Sequence, residues 1–135
     1  MLPHYLNRGN TMTINEAINK IDALKPNGYS HEDKTRWLSS VDGVIKAEII
    51  DTHEGGEDIV FEEYTGDTDP DTNLLVSAPY DDLYLRWLEA RIDYANGEYS
   101  KFNNSITMYN AELSAFSNYY NRTHMPKGKK RKYFG

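Results

Sequence analysis

Apolar residues return every three or four positions in four stretches of the chain, and that rhythm fails in one stretch, residues 54–78. The first run is Ile14, Ala17, Ile18, Ile21 and Leu24, one face of a short helix. Thr13 precedes it with Glu16 three residues on, the reciprocal capping box, and Pro26-Asn27-Gly28 ends it. The second run is Trp37, Leu38, Val41, Val44, Ile45 and Ile49, with Ser30 as the cap and Asp33 at the capping-box position. It is expected to fade between Asp51 and His53. Gly43 inside it is expected to mark close packing of another helix.

The third helix is expected to begin at Pro79, which suits a first helical turn, with Asp81 and Asp82 at the positive end of the dipole. Its apolar positions (Tyr80, Leu83, Tyr84, Leu85, Trp87, Leu88, Ile92, Tyr94, Ala95) cover more than one face, which predicts a central helix. A fourth helix runs from about Glu98 to Tyr120, carrying Tyr99, Phe102, Ile106, Tyr109, Leu113, Phe116 and Tyr120. Unbroken from Pro79 to Thr123, the segment would be about 65 Å long, too long for so small a domain. Asn96-Gly97 therefore predicts a break and an antiparallel pair.

Between the second and third helices, Ile59-Val60-Phe61 and Leu74-Leu75-Val76 flank the acidic run Thr65-Gly66-Asp67-Thr68-Asp69-Pro70-Asp71. Two β-favouring runs about a polar tip predict a hairpin or a looped arm that leans on the helices or on a neighbouring subunit. The fold class is thus mainly α: a small four-helix bundle, residues 12–123, with an acidic looped or β-hairpin arm at 54–78. Residues 1–11 read as a flexible extension, with Met12 an alternative start, and 124–135 as an extended basic tail.

Composition changes this picture little, and charge changes it more. At 135 residues the chain is one domain, and 13% aromatics, 11 of them Tyr, supply a core. No cysteine is present, so disulfide scaffolds, thiolate zinc sites and thiol catalysis are excluded. No apolar run has the length of a membrane span, and Met1 to Met12 has no apolar leader core. Up to Thr123 there are ten Lys and Arg against 21 Asp and Glu, a net of −11; the last twelve residues carry five bases and no acid. An acidic body argues against nucleic-acid binding by a basic face, whereas the tail suits phosphate or an acidic protein groove.

Candidate chemistry is sparse. His31-Glu32 lacks the second histidine of a zinc-protease helix, and His4, His31, His53 and His124 lie far apart and read as surface residues. There is no phosphate loop and no nucleophile elbow. Asp67, Asp69 and Asp71 have the spacing that opens a calcium loop, but Thr72 stands where its glycine belongs and Ala78 where its glutamate belongs. A solvated acidic turn is expected, with no cofactor, no metal and no enzymatic activity. Tyr109, Tyr119 and Tyr120 suit a core or an interface better than a base-stacking platform, since only Arg122 lies near them.

Leu74-Leu75-Val76-Ser77-Ala78-Pro79-Tyr80-Asp81-Asp82-Leu83-Tyr84, then Ile92-Asp93-Tyr94-Ala95-Asn96-Gly97-Glu98-Tyr99, Phe102-Asn103-Asn104 and Tyr119-Tyr120-Asn121-Arg122-Thr123-His124-Met125-Pro126 form a series of phrases. With Met12-Thr13-Ile14-Asn15-Glu16-Ala17 at the amino end, the series resembles the head–tail connector (adaptor) proteins of long-tailed bacteriophages and prophages of Gram-positive hosts. The resemblance spans about residues 12–126. It implies a structural virion protein, assembled in the host bacterial cytoplasm and located at the head–tail junction. Such subunits form a ring, commonly of twelve, beneath the portal. The ring extends the DNA channel and meets a downstream connector or tail-completion protein, and genomic DNA passes through without sequence-specific binding.

Under that resemblance the tail is the portal-binding element: Arg122, His124, Met125, Pro126, Lys127, Lys129, Lys130, Arg131, Lys132, Tyr133 and Phe134. Its bases supply steering and its two aromatics supply anchors. The arm, through Ile59, Val60, Phe61, Tyr64, Asp67, Asp69 and Asp71, is expected to contact an adjacent subunit or the next ring. Two other classes stay open: a DNA-binding packaging or regulatory protein that uses the basic arm, and a monomeric helical binding module.

Overall fold

The computed structural model of the chain describes residues 11–128. It is mainly helical, with four helices and a two-stranded antiparallel sheet. In chain order these are β1 (Thr11–Thr13), α1 (Ile14–Leu24), α2 (His31–Glu48), β2 (Asn73–Ser77), α3 (Asp82–Ala95) and α4 (Tyr99–Thr123). Two single turns of 3-10 helix, Ile50–Thr52 and Gly56–Asp58, follow α2. The capping box of α1 is formed in both directions: Glu16 N donates to Thr13 Oγ1 at 3.1 Å and Thr13 N to Glu16 Oε1 at 2.9 Å. Ser30 Oγ accepts from Asp33 N at 3.0 Å to cap α2.

Of the two expected forms of the 54–78 stretch, looped or hairpin, the two β-favouring runs do not pair with each other and the stretch is looped up to β2. Leu74-Leu75-Val76 is a strand, but its partner is β1, with Thr11 opposite Ser77 and Thr13 opposite Asn73. Ile59-Val60-Phe61 runs as irregular chain. Burial decides the outcome: pairing with β1 places Met12, Leu74 and Val76 in the core beside Ile14. Thr11 therefore belongs to the folded unit, and the 1–11 extension otherwise falls outside the described residues. The acidic run is a chain of tight turns that docks on the start of α1. Thr72 O accepts from Ile14 N at 3.0 Å and Pro70 O from Asn15 N at 2.9 Å, satisfying two amides of that helix's first turn.

The break at Gly97 is present, with φ 75. Beyond it α4 returns along α3, as the contacts show from the turn outward: Tyr94 on Phe102, Asp93 on Ser105, Trp87 on Tyr109, Arg86 on Glu112 and Tyr80 on Phe116. The helix α3 touches each of the other three, as its wide apolar face predicts. Its start differs from expectation. Pro79 lies before the helix, in a turn whose Ala78–Pro79 bond is cis, and α3 begins three residues later.

The core gathers Ile14, Ile18 and Ile21 of α1, Leu38, Val41 and Ile45 of α2, Leu83, Leu88 and Ile92 of α3, and Tyr109, Phe116 and Tyr120 of α4. Trp37 and Trp87 flank it half-buried, the Trp87 indole N–H donating to Trp37 O at 2.8 Å. Leu24 and Val44, periodic in sequence, face outward. Gly43 meets no other helix; a Cβ there would touch the Phe61 ring at 3.8 Å. The glycine that close approach requires is Gly56, where a Cβ would stand 2.3 Å from Ile50 O.

Candidate functional site

Residues 54–76 lie along one side of the fold as a wall, mostly exposed but anchored in the core by Tyr64, Leu74 and Val76. Tyr64 is buried, Ile59 and Phe61 pack half-buried against the core, and Asp67, Asp69 and Asp71 are exposed. Val60 alone of this group presents a large apolar side chain to solvent, at 81% exposure. The acidic run is held by its own turns. Asp69 Oδ1 accepts from Asp71 N at 2.9 Å, Thr68 Oγ1 from Thr65 N at 2.8 Å, and Thr65 Oγ1 from Asp67 N at 3.2 Å. Among the described residues no group of three or more His, Asp and Glu side chains is arranged to hold a metal ion.

Behind Tyr64 lies a cluster that the sequence reading missed. Asp42 of α2 is fully buried and accepts three hydrogen bonds, from Tyr64 Oη and Tyr84 Oη at 2.6 Å each and from Leu75 N at 3.0 Å. Tyr84 Oη also accepts from Val76 N at 2.8 Å, and Ser39 Oγ accepts from Tyr64 N at 2.9 Å. One carboxylate thus joins α2, the irregular wall, β2 and α3. Burial lifts its pKa from 3.8 to about 6, against the three hydrogen bonds that favour the ion. Burial and the Asp42 charge push both tyrosine hydroxyls well up, so they remain donors. Asp42 and Tyr84 are fully buried, while Tyr64 and Ser39 border the open groove beside α2, so the cluster ties four elements together behind that groove. A row of small polar residues at helical steps, Thr35, Ser39 and Asp42 beside the apolar stripe, was its only sequence signal.

The tail residues divide into two groups. Arg122 is exposed in the last turn of α4. His124 stacks on Tyr120, ring centroids 3.8 Å apart, instead of leaving the fold as an extended arm. Met125 O accepts from Glu54 N at 2.8 Å, Pro126 forms a bridge with His53, and Lys127 N donates to Thr52 O at 2.9 Å. Lys127 Nζ lies 3.6 Å from Glu57 Oε1. The chain end is fastened because its backbone groups find partners on residues 52–54. Lys129, Lys130, Arg131, Lys132, Tyr133 and Phe134 lie outside the described residues.

His53 organises this closure and is no surface residue. It is 4% exposed, its Nδ1 donates to Ile49 O at 2.6 Å, and its Nε2 lies 2.8 Å from Asn121 Oδ1. The ring also meets Tyr120 edge-on at 4.9 Å. Comparison with family models, with curated proteins and with solved structures returns no match. The surface itself must therefore carry the functional argument.

Among the apolar areas that the described residues leave open, two lie near α2. One surrounds the α3–α4 turn, where Tyr94 and Tyr99 are both more than half exposed and cluster with Phe102. The other is a groove of about 640 Å³ between α2 and residues 61–65, floored by Gly43, Val44, Ala47 and Phe61. Tyr29 Oη donates to Asn96 Oδ1 at 2.5 Å, which fixes the start of α2 at the turn, while the groove follows that helix toward its far end. The 18 residues of α2 measure about 27 Å. Among the described residues most basic side chains are paired, for example Lys25 with buried Asp93 at 2.5 Å, Lys34 with Asp22 at 2.7 Å and Lys46 with Asp51. The Asp93 hydrogen bond raises the pKa of Lys25 and keeps it charged.

Proposed function

We propose that the chain is the repeating subunit of a ring-shaped connector between a phage head and its tail, as its sequence phrases suggest. The observation that carries the reading is a pair of unlike apolar areas, one at the α3–α4 turn near the start of α2 and the other a groove along the side of α2 to its last residue. Unlike patches make head-to-tail contacts, and such contacts close into rings when the rotation allows. In this reading the four helices act as a bundle, a rigid block whose ends meet the neighbours. The acidic wall of residues 54–71 faces the channel or its rim, where like charge keeps DNA from sticking. The basic end docks on the portal, and the virion is the site of action.

The test is electron microscopy and co-purification of the full chain with the portal protein of the same phage genome. Rings stacked on the portal are expected, and a chain truncated after Pro126 should fold yet fail to stack. A chain that stays monomeric and unbound beside assembled portals would defeat the reading. Salt-sensitive binding of the full chain to duplex DNA, with no portal binding, would favour the DNA-binding alternative instead.

A further inference from the structure

The fastening of Lys127 has a consequence for the residues that follow it. Lys127 N is held by Thr52 O, and Thr52 Oγ1 in turn donates to Ile49 O at 2.7 Å, at the end of α2. Glu48, one residue earlier, lines the open groove between α2 and residues 61–65. The tail is thus launched within about a helical turn of that groove's end. Gly128 has φ 72, a left-handed backbone that turns the chain immediately after the anchor.

Reach and chemistry both fit. The seven residues from Gly128 to Phe134 extend to at most about 25 Å. The groove, from Glu48 back to Ser39 along α2, is about 14 Å long. Its rim carries Glu48 and Glu63, with exposed Glu62 beside them, and none of the three is in an ion pair among the described residues. Arg36, the base at the groove, already pairs with Glu32 at 3.0 Å. The floor is apolar and open to solvent, with Val44 exposed and Gly43 presenting no side chain beside the Phe61 ring. The sequence that follows the anchor is Lys129-Lys130-Arg131-Lys132-Tyr133-Phe134: four charges opposite in sign to the rim, then two aromatic side chains for the floor.

We propose that this groove is the docking surface for Lys129–Phe134 of the same chain. Tyr133 and Phe134 lie over Gly43, Val44 and Phe61, and the bases lie along Glu48, Glu62 and Glu63. The same polypeptide is favoured over a second copy because the anchor at Thr52 holds the tail beside its own groove at high effective concentration. Docking keeps the tail from other acidic partners and covers one of the open apolar areas until a competitor displaces it. The proposal stands whether or not the connector reading does.

The chain has no cysteine, so Gly135→Cys gives a single site for a nitroxide on the otherwise intact protein. Loss of amide signal at Gly43, Val44, Ala47 and Phe61 to Tyr64 is expected, unchanged on dilution and reduced by high salt. Ala47→Lys, at an exposed position, should abolish that loss while leaving the helical circular dichroism unaltered. The same variant should speed tryptic cleavage at Lys129 to Lys132. Signal loss confined to residues 52–57, with the groove untouched, would overturn the proposal. So would groove broadening that appears only when nitroxide-labelled chains are mixed with separate isotope-labelled ones, since the tail would then come from a second copy.

Discussion

Replacing Asp42 with alanine removes the acceptor on which three buried donors depend. The hydroxyls of Tyr64 and Tyr84 and the amide of Leu75 all point at this one carboxylate, which has no exposed atom, so water is not at hand to replace it. A buried donor left without a partner costs about 1–3 kcal/mol. Part of that is recovered, because Tyr64 lies at the edge of the core and its hydroxyl can swing toward solvent, while Tyr84 and the Leu75 amide cannot. The sum is about 3–5 kcal/mol, a large share of a small domain's 5–15 kcal/mol. Urea melts at pH 7, followed by the fluorescence of Trp37 and Trp87, measure it directly. Backbone amides of β2 should also exchange faster, since Leu75 and Val76 lose the side chains that hold them. A loss below about 1 kcal/mol, with β2 exchange unchanged, would show that the carboxylate is not the junction.

The same residue sets a pH dependence. The folded-state pKa of Asp42 is raised from 3.8 to about 6, so its stabilising contribution is fully present below pH 3.8 and is lost as pH rises through about 6. The stability difference between wild type and Asp42→Asn should narrow by about 3 kcal/mol across that window, read from urea melts at stepped pH; a widening difference would reverse the sign argued here. His53→Ala should cost about 2 kcal/mol and speed hydrogen exchange at Glu54 and Lys127, whose amides close the chain end. Gly56→Ala sets a Cβ against the Ile50 carbonyl and should cost about 2 kcal/mol in a thermal melt, more than Gly28→Ala, where the space is open.

What could be read from the sequence was local. The capping box at Thr13 and Glu16, the cap at Ser30 and the break at Gly97 each depend on residues within a turn of one another, and all are present. What escaped depends on distant partners. β1 is three residues long, too short for alternation to show, and meets β2 some 60 residues later. Asp42 sits between Val41 and Gly43 on the flank of the apolar stripe, and its tyrosines arrive from positions 64 and 84. A charged residue there looks like a solvated helix face until the wall is placed against it. His53 has no local signal at all, because Asn121 and Tyr120 reach it only after α4 has crossed the molecule.

If the chain assembles as proposed, these distant ties shift where its contacts lie. If residues 54–78 were a free arm, their apolar side chains would be available to a neighbour. Instead Tyr64, Leu74 and Val76 belong to the core, and the loop carbonyls of Pro70 and Thr72 hold the first amides of α1. The acidic run is therefore joined to the start of α1, and removing it would disturb that helix before any neighbour was lost. In that reading contact surfaces come from side chains the fold leaves outside, among them Leu24 on α1, Val60 on the wall, Val44 over the groove, and Tyr94 and Tyr99 at the α3–α4 turn. In the proposed connector reading, a subunit so arranged would offer its neighbours contact points already fixed by the fold, which lowers the ordering cost of each contact.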